Sequence, residues 1–295
     1  MRRKIIKQGM GGNTIFLPID WVRDNNLKVG EDIELYEEDN KLILTPPNTK
    51  RPIKQIKIKL ETADYNIIRS YMGGLYRAGY DEISVELKEN KIIQTLQQVI
   101  DSLEGFEIFN ITKDSCTIKS ILSINEINLK SHFLKMIYTI TAMQETIQNK
   151  KNSKQEMFEL RNKILKQRDF ICRSITQLRL LEMKDFPYYE LSYNLWNIAR
   201  NYYNIYEAST KKPISDKNKE ILEKTNKFFQ EFYNRLQTHS HSDKHIQYKT
   251  LMNECIKLME NKNEASMIAV YCVNILMTIQ SSNSQILILN LSSQS

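Results

Sequence analysis

The sequence is poor in residues that break regular structure and in residues that cross-link a chain. It has eight glycines, six prolines and four cysteines among 295 residues. So little glycine and proline excludes collagen-like and low-complexity chains, and a composition that is 41% apolar and 26% charged excludes a disordered one. The length exceeds that of one minimal core. We therefore expect a folded, mainly helical protein with two or three domains.

Metal-binding and redox cysteine motifs are also missing. Cys116, Cys172, Cys255 and Cys272 are scattered within apolar patterns, without zinc-ligand or Cys-x-x-Cys spacing. They are predicted to be core residues in a reducing compartment. The N-terminus lacks the apolar segment of a secretory signal, and the longest apolar stretch, Met267 to Ile279, is shorter than a bilayer requires. We expect a cytoplasmic protein without membrane insertion.

The sequence shows no constellation that suggests catalysis. Neither a serine, histidine and aspartate order nor a cysteine and histidine pair stands out. Gly73-Gly74 lies in a helical pattern without the context of a nucleotide-binding turn, so close approach of a second helix is the simpler account. The protein is predicted not to be an enzyme and to need no cofactor.

What the sequence does have is a modest excess of basic residues. The net charge of +7 and the pI near 9.0 favour an acidic partner such as nucleic acid. Lysine is abundant throughout, however, as an AT-rich coding sequence would also produce. The first 28 residues contain six basic and two acidic side chains. The basic ones either contact DNA phosphates or form a solvated strand face: Arg2, Arg3, Lys4, Lys7, Arg23 and Lys28.

Short strand-like runs alternate with turns over residues 3–51. Strands are predicted at Lys4–Lys7, Thr14–Leu17, Ile33–Tyr36 and Lys41–Thr45, with a helix at Ile19–Asn25. About fifty residues of short strands bury a core with difficulty, whereas two interleaved copies complete each other's sheets. This segment is therefore predicted to form a homodimer, and the polar, proline-rich residues 46–52 form a stiff linker.

The same segment resembles the SpoVT/AbrB (MazE-like) swapped-hairpin domains. The similar stretches are Lys7-Gln8-Gly9, Asn13-Thr14, Leu17-Pro18, Trp21-Val22, Leu27 to Asp32 and Leu42-Ile43-Leu44. The resemblance implies that residues 1–47 supply half of a β barrel, which a second chain completes. It also implies that basic residues of the first strand and the following helix bind duplex DNA, although Ile19 and Asp20 stand where basic residues are common in that family.

The rest of the chain changes from strands to helices. Residues 53–124 show the order β-α-β-α-β-β, which predicts a small α+β segment. Apolar stripes of helical period then predict two antiparallel three-helix units, at 125–211 and 214–282, separated near Pro213. The apolar run Ile286 to Leu291 has no predicted place. The fold class is α+β with an all-α C-terminal bundle.

This arrangement resembles the archaeal PhoU-like proteins, most closely at Tyr76 to Ile83. The resemblance implies a transcription regulator linked to phosphate uptake or homeostasis. The alternative is a scaffold that docks through its helical bundle onto a phosphate transporter or another protein. PhoU repeats often carry Glu-x-x-x-Asp pairs that bind metal clusters. Here basic and amide residues occupy those places, so no such cluster is expected: Arg161, Lys163, Arg200 and Asn201.

Two further groups of residues have two interpretations each. His239, His241 and His245 lie within seven residues and suit a zinc or nickel site, but they equally suit an exposed connection between helices. One helix is crowded with aromatic side chains, which suit nucleic-acid base stacking or, at helical spacing, the core and rim of the bundle. These are Tyr188, Tyr189, Tyr193, Trp196, Tyr202, Tyr203 and Tyr206.

Overall fold

The chain divides into two compact units, Met1–Ile53 and Lys54–Ser295. A computed structural model describes the following residues of them: 2–9, 11–38, 41–46, 53–122, 129–149, 154–177, 186–238, 245–260 and 267–292. The finer domain boundaries drawn from the sequence, at residue 124 and between 211 and 214, stay predictions.

The first unit contains two separate antiparallel hairpins and one short helix. Its elements are β1 (Ile6–Gln8), β2 (Gly12–Thr14), α1 (Ile19–Asp24), β3 (Glu34–Glu38) and β4 (Lys41–Thr45). Within the residues described here, β1 pairs only with β2, and β3 only with β4. The first two strands lie nearer the turn than the sequence predicted, because pairing continues up to Gln8 and Gly12. Asp39 and Asn40, between β3 and β4, lie outside the described residues.

The second unit begins with a four-stranded sheet and two helices. The elements are β5 (Gln55–Leu60), α2 (Tyr65–Arg77), β6 (Glu82–Leu87), α3 (Ile92–Asp101), β7 (Phe106–Phe109) and β8 (Ser115–Ser120). This is the order predicted from the sequence. The sheet order is β5-β6-β8-β7, with β5 and β6 parallel and the other pairs antiparallel.

The helix α2 illustrates how the sequence specifies this layer. Asp64 caps its N-terminus by accepting a hydrogen bond from the Ile67 amide at 3.0 Å. Ile68, Met72 and Tyr76, each four residues apart, are fully buried and share one face of the helix. They pack in one apolar cluster with α3 and the inward side chains of the sheet. We call this part, residues 54–122, the α+β layer.

Seven helices follow among the residues that the structure describes. They are α4 (Leu129–Asn149), α5 (Lys154–Gln177), α6 (Phe186–Lys211), α7 (Asp216–Thr238), α8 (His245–Glu260), α9 (Met267–Ser281) and α10 (Asn283–Ser292). The apolar tail that the sequence analysis left without a place therefore belongs to α10, where Ile286 is buried against the bundle.

One continuous apolar core connects these helices. The third helix of each predicted three-helix unit, α6 and α9, pack against each other as well as against their own first helices, α4 and α7. Buried side chains from α4 to α10 thus form a single cluster. This packing is compatible with two three-helix units that share one core. That the two units are repeats of one another stays a prediction.

The apolar stretch Met267 to Ile279 forms most of α9, and its Ile268, Cys272 and Ile275 side chains are buried in the bundle. Among the described residues, no helix combines the length and the hydropathy needed to cross a membrane. All four cysteines are buried and unbonded to one another. Burial raises the pKa of each thiol, for example that of Cys116 to about 11, which favours the neutral form.

Candidate functional site

The turn between β1 and β2 places Lys7, one of the six predicted DNA contacts, within a hairpin. Gly9 adopts a positive φ of 62°, a conformation that side chains with a Cβ rarely take. This turn brings Lys7 opposite Asn13 in the hairpin, while the Thr14 hydroxyl donates to the Ile6 carbonyl at 3.3 Å. Cross-strand partners share a face, so Lys7 and Asn13 lie on one face of the hairpin.

The helix α1 and the turn after it carry the remaining cations of this unit. Pro18 precedes the helix, where its missing N–H costs nothing. Asn26 ends it in the left-handed region, at a φ of 53°. The Lys28 amide then donates to the Glu31 carboxylate at 2.9 Å, which fixes the backbone of the next turn. Arg23 and Lys28 therefore stand at the end of α1 and just beyond it.

All six cations that the sequence proposed for DNA contact are exposed. Within the described part of the chain, none of their side chains forms an ion pair. They are Arg2, Arg3, Lys4, Lys7, Arg23 and Lys28. Their charges are therefore available to a partner. The two acidic residues among them in sequence, Asp20 and Asp24, are exposed as well.

The apolar side chains of the first unit have almost no core. Phe16 is 71% exposed, Leu35 57% and Leu42 56%, and neither buried apolar cluster contains a residue of this unit. Leu35 lies opposite Leu44 in the β3-β4 hairpin, so these leucines share one face with Leu42. Leaving such side chains in water forfeits about 1.5–3 kcal/mol each.

The other sequence candidates give no metal site within the residues that the structure describes. His239 and His241 lie outside those residues, and His245 begins α8. Arg161, one of the residues named in the PhoU-like resemblance, stacks on Trp196 and Tyr203, with its guanidinium carbon 5.3 and 5.1 Å from the ring centroids. In the described part of the chain, no group of three histidine, cysteine, aspartate or glutamate side chains is placed to hold a metal ion.

Lys163 and Arg200 are exposed. Asn201 is nearly buried and donates to the Asn197 carbonyl at 2.8 Å. Six of the seven aromatic side chains that the sequence analysis named on α6 lie in or against the core of the bundle, and the seventh, Tyr193, lies under the Arg168 guanidinium at 4.8 Å. Tyr202 and Tyr206 are buried, and Tyr188, Tyr189, Trp196 and Tyr203 pack against the core. The interpretation as core and rim fits these positions.

A buried ionic cluster that was not predicted from the sequence lies between the α+β layer and the helices. Asp169 of α5 is fully buried, and its carboxylate accepts hydrogen bonds from three guanidinium groups. Arg77 donates to it at 2.8 Å, Arg168 at 2.6 and 3.1 Å, and Arg69 also donates to it. Burial by itself raises the pKa of Asp169, but attraction by Arg168, Arg69 and Arg77 outweighs burial, so the pKa is lowered.

One turn further along α5, Arg173 ties the same two layers together. Its side chain is 1% exposed and donates to the Tyr76 and Tyr80 carbonyls at 2.9 and 2.7 Å, and to Asp81 at 3.2 Å. The guanidinium carbon also lies 4.8 and 4.9 Å from the ring centroids of Tyr76 and Phe106. The α+β layer is thus fastened to α5 by charge-assisted hydrogen bonds as well as by apolar contact.

Gly73 makes room for this cluster. A Cβ atom there would collide with the Arg69 guanidinium and lie 3.1 Å from that of Arg77, whereas Gly74 faces open space. The sequence suggested close approach of a helix at this glycine pair. The space is taken instead by the two guanidinium groups that reach across to Asp169. The spacing of Arg69, Gly73 and Arg77, each four residues apart on α2, is the signal that could have revealed it.

The neighbouring glycines provide a matched test. We expect Gly74→Ala to stabilise the second unit by about 0.5–1 kcal/mol, since alanine favours the helix. We expect Gly73→Ala to destabilise it by about 1–2 kcal/mol, because displacing Arg69 from Asp169 sacrifices a charged hydrogen bond. Urea denaturation of both variants measures this difference. Equal effects at the two positions would contradict the role given to Gly73.

Comparison with known proteins identifies only the first unit. Residues 13–52 match the family described as antidote-toxin recognition MazE, bacterial antitoxin. No curated protein and no solved structure matches the chain. The chain therefore contains a MazE-like antitoxin domain near its N-terminus, which confirms the SpoVT/AbrB (MazE-like) resemblance for that segment. Because no match extends beyond residue 52, the PhoU-like resemblance and the archaeal type stay predictions.

Proposed function

We propose that this protein is a DNA-binding regulator that dimerises through its N-terminal unit and carries no catalytic activity. The observation that carries the proposal is that the MazE-like match at residues 13–52 coincides with six exposed cations in the first 28 residues, none of which forms an ion pair with a residue that the structure describes. Domains of this kind commonly bind DNA as dimers. Four of the cations, Arg2 to Lys7, precede the matched segment, and Arg23 and Lys28 lie inside it.

Electrostatics support duplex DNA as the partner. Six basic and two acidic side chains give the first 28 residues a charge of +4, and a dimer doubles it. Each cation that neutralises a phosphate releases a counterion, so affinity falls with salt at a slope of about −0.9 per contact in a logarithmic plot. Cations that already had carboxylate partners would gain less from phosphate, and these have none within the described residues.

The full-length protein tests the proposal directly. We expect it to select sequences from a random duplex pool and to bind them with an affinity that falls steeply between 50 and 200 mM salt, by about 10³-fold or more if six or more phosphates are contacted. Fluorescence anisotropy across that salt range measures the slope. A dimer whose DNA affinity shows no salt dependence would refute DNA binding and favour a scaffold that docks onto another protein.

A toxin-binding role is the second candidate, because the matched family is described by toxin recognition. In that case the chain is an antitoxin-type regulator that binds a toxin protein in addition to DNA. The phosphate link implied by the PhoU-like resemblance, and docking onto a phosphate transporter, stay predictions about the helical bundle.

Dimerisation has its own test. We expect Leu35→Glu to weaken the dimer at least 100-fold, because the charge would be buried at two symmetry-related positions, where each leucine contributes about 1.5–3 kcal/mol. Sedimentation velocity measures the dissociation constant. Val29→Glu is the control, since Val29 is fully exposed in the turn before β3 and lies outside the hairpin. A Leu35→Glu dimer as tight as the unmodified one would contradict an interface at this face.

A further inference from the structure

A polar groove separates two helices that the predicted repeats place in equivalent positions. The first helices of the two units, α4 and α7, run antiparallel. The Tyr138 and Tyr233 hydroxyls lie 3.0 Å apart near one end, and further along Gln144 and Asn226 bond to the same hydroxyl, that of Tyr202. Between them lies a groove of about 370 Å³. Its lining residues are Thr141, Gln144, Glu145, Gln148, Glu223, Asn226, Lys227 and Gln230.

Every one of these lining side chains is polar, which is unusual between helices of one bundle. Packed helices normally face each other with apolar side chains spaced three and four residues apart. Here both helices repeat that spacing with polar residues, at 141, 144, 145 and 148 on α4 and at 223, 226, 227 and 230 on α7. The two stripes therefore border a groove where an apolar seam would otherwise form.

The floor of the groove is a fixed hydrogen-bonded unit. Gln144 and Asn226 are 5% and 8% exposed, and the fully buried Tyr202 hydroxyl lies between them. Gln144 donates to that hydroxyl at 2.8 Å, and the hydroxyl donates to Asn226 at 2.9 Å. Burial raises the pKa of Tyr202 strongly, so the phenol keeps its hydrogen. The positions of both amides are thereby fixed.

The single hydrogen of the hydroxyl determines what the floor offers to a ligand. One amide must donate to the phenol oxygen and the other must accept from it, whichever way the two amides are turned. One amide carbonyl and one amide NH₂ are therefore left over. In the described part of the chain, Gln144 Oε1 and Asn226 Nδ2 make no hydrogen bond, and both residues line the groove.

We propose that this groove binds a small neutral molecule that offers both a hydrogen-bond donor and an acceptor, as a nucleobase or a carboxamide does. Its volume lies within the range of ligand sites. Neither Gln144 Oε1 nor Asn226 Nδ2 is among the described buried polar atoms that lack a partner. Water therefore reaches both atoms, and a ligand with a complementary donor and acceptor would replace that water. The rim carries the exposed Glu145 and Glu223 with the exposed Lys227, so it does not favour an anion.

Binding to the full-length protein can be measured by calorimetry with uracil and with nicotinamide. Uracil places an N–H between two carbonyls, and 1,3-dimethyluracil keeps the ring but lacks the N–H. We expect one of the two probes to bind, and its N-methylated analogue to bind at least tenfold more weakly. Binding by uracil identifies a nucleobase site, and binding by nicotinamide identifies a carboxamide site. If neither probe binds at millimolar concentration, the proposal is overturned.

Variants of the floor connect any binding to this groove. We expect Asn226→Leu and Tyr202→Phe to weaken the bound probe at least tenfold, the second because the amides lose the hydroxyl that orients them. Asn149→Ala, an exposed amide of α4 outside the groove, should bind as the unmodified protein does. Circular dichroism identifies the folded variants, and Tyr202→Phe retains the buried ring if Asn226→Leu does not fold. Unchanged affinity in a folded floor variant overturns the proposal, independently of DNA binding.

Discussion

Replacing Asp169 by asparagine is expected to lower the free energy of unfolding of the unit Lys54–Ser295 by about 3–5 kcal/mol, the range for breaking a buried ion pair from one side. The substitution barely changes the shape of the side chain. It removes the negative charge on which Arg69, Arg77 and Arg168 converge, and these side chains are only 9–20% exposed. Three positive charges would then remain, partly buried, without a carboxylate.

Urea denaturation followed by circular dichroism measures this loss. The matched control is Glu159→Gln, which removes an exposed carboxylate from the same helix and should change stability by less than about 0.5 kcal/mol. An Asp169→Asn variant as stable as this control would show that the guanidinium groups find adequate solvation elsewhere, and would contradict the cluster's role in joining the α+β layer to α5.

The same cluster predicts a pH dependence. The pKa of Asp169 is lowered in the folded protein, since the attraction of three guanidinium groups outweighs the effect of burial, which raises it. A lowered folded-state pKa means that the stabilisation is complete above the ordinary aspartate pKa of about 3.9 and is lost as pH falls through the lower, folded value. The stability difference between the unmodified protein and Asp169→Asn should therefore shrink below about pH 4. A difference that stays constant down to pH 2.5 would contradict this assignment.

The secondary structure could be predicted well because it depends on short-range patterns. The alternation of Ile56, Ile58 and Leu60 indicated β5, and the spacing of apolar residues indicated every helix from α2 to α9. The bounds of β1 and β2 differ from the predicted ones, because the glycine-rich turn between them did not indicate which residues pair. The tail that forms α10 resisted prediction because its apolar run has no polar face with a helical period.

The ionic cluster and the groove could not be predicted in the same way, because they join distant positions. Arg69 and Asp169 are 100 residues apart in sequence, and Tyr202 and Gln144 are 58 apart. In the sequence, Arg168-Asp169 has the appearance of a solvated helix face, and Gln144 that of a surface amide. Only the packing of α2 on α5 and of α4 beside α7 shows that these polar residues are buried.

The N-terminal unit presents the opposite case, because its sequence is more informative than the structure of one chain. In the described residues of a single copy, the two hairpins do not pair with each other, and apolar side chains such as Phe16 are exposed. The family match accounts for both features if a second copy supplies the missing contacts. The geometry of a DNA-binding surface would then be a property of the dimer, whereas the charges that compose it can already be identified in one chain.

Removing the four cations in and before β1 should therefore abolish most DNA binding. We expect the variant Arg2→Ala, Arg3→Ala, Lys4→Ala, Lys7→Ala to bind duplex DNA at least about 1,000-fold more weakly at 100 mM salt, because a dimer would lose eight potential phosphate contacts. The logarithmic salt slope should become shallower by up to about 7 for those eight contacts. Since these side chains are exposed and make no ion pair in the described part of the chain, the dimer and its thermal stability should not change.

The matched control removes the same number of positive charges from the second unit, at four exposed lysines. It carries alanine at Lys113, Lys163, Lys212 and Lys249. If affinity depended only on the net charge of the whole chain, both quadruple variants would weaken binding equally. If Arg2, Arg3, Lys4 and Lys7 contact phosphate, the control should bind within about threefold of the unmodified protein and keep its salt slope, since all the cations that contact phosphate are retained. Equal losses in the two variants would therefore contradict a localised DNA-binding surface, even if the protein binds DNA.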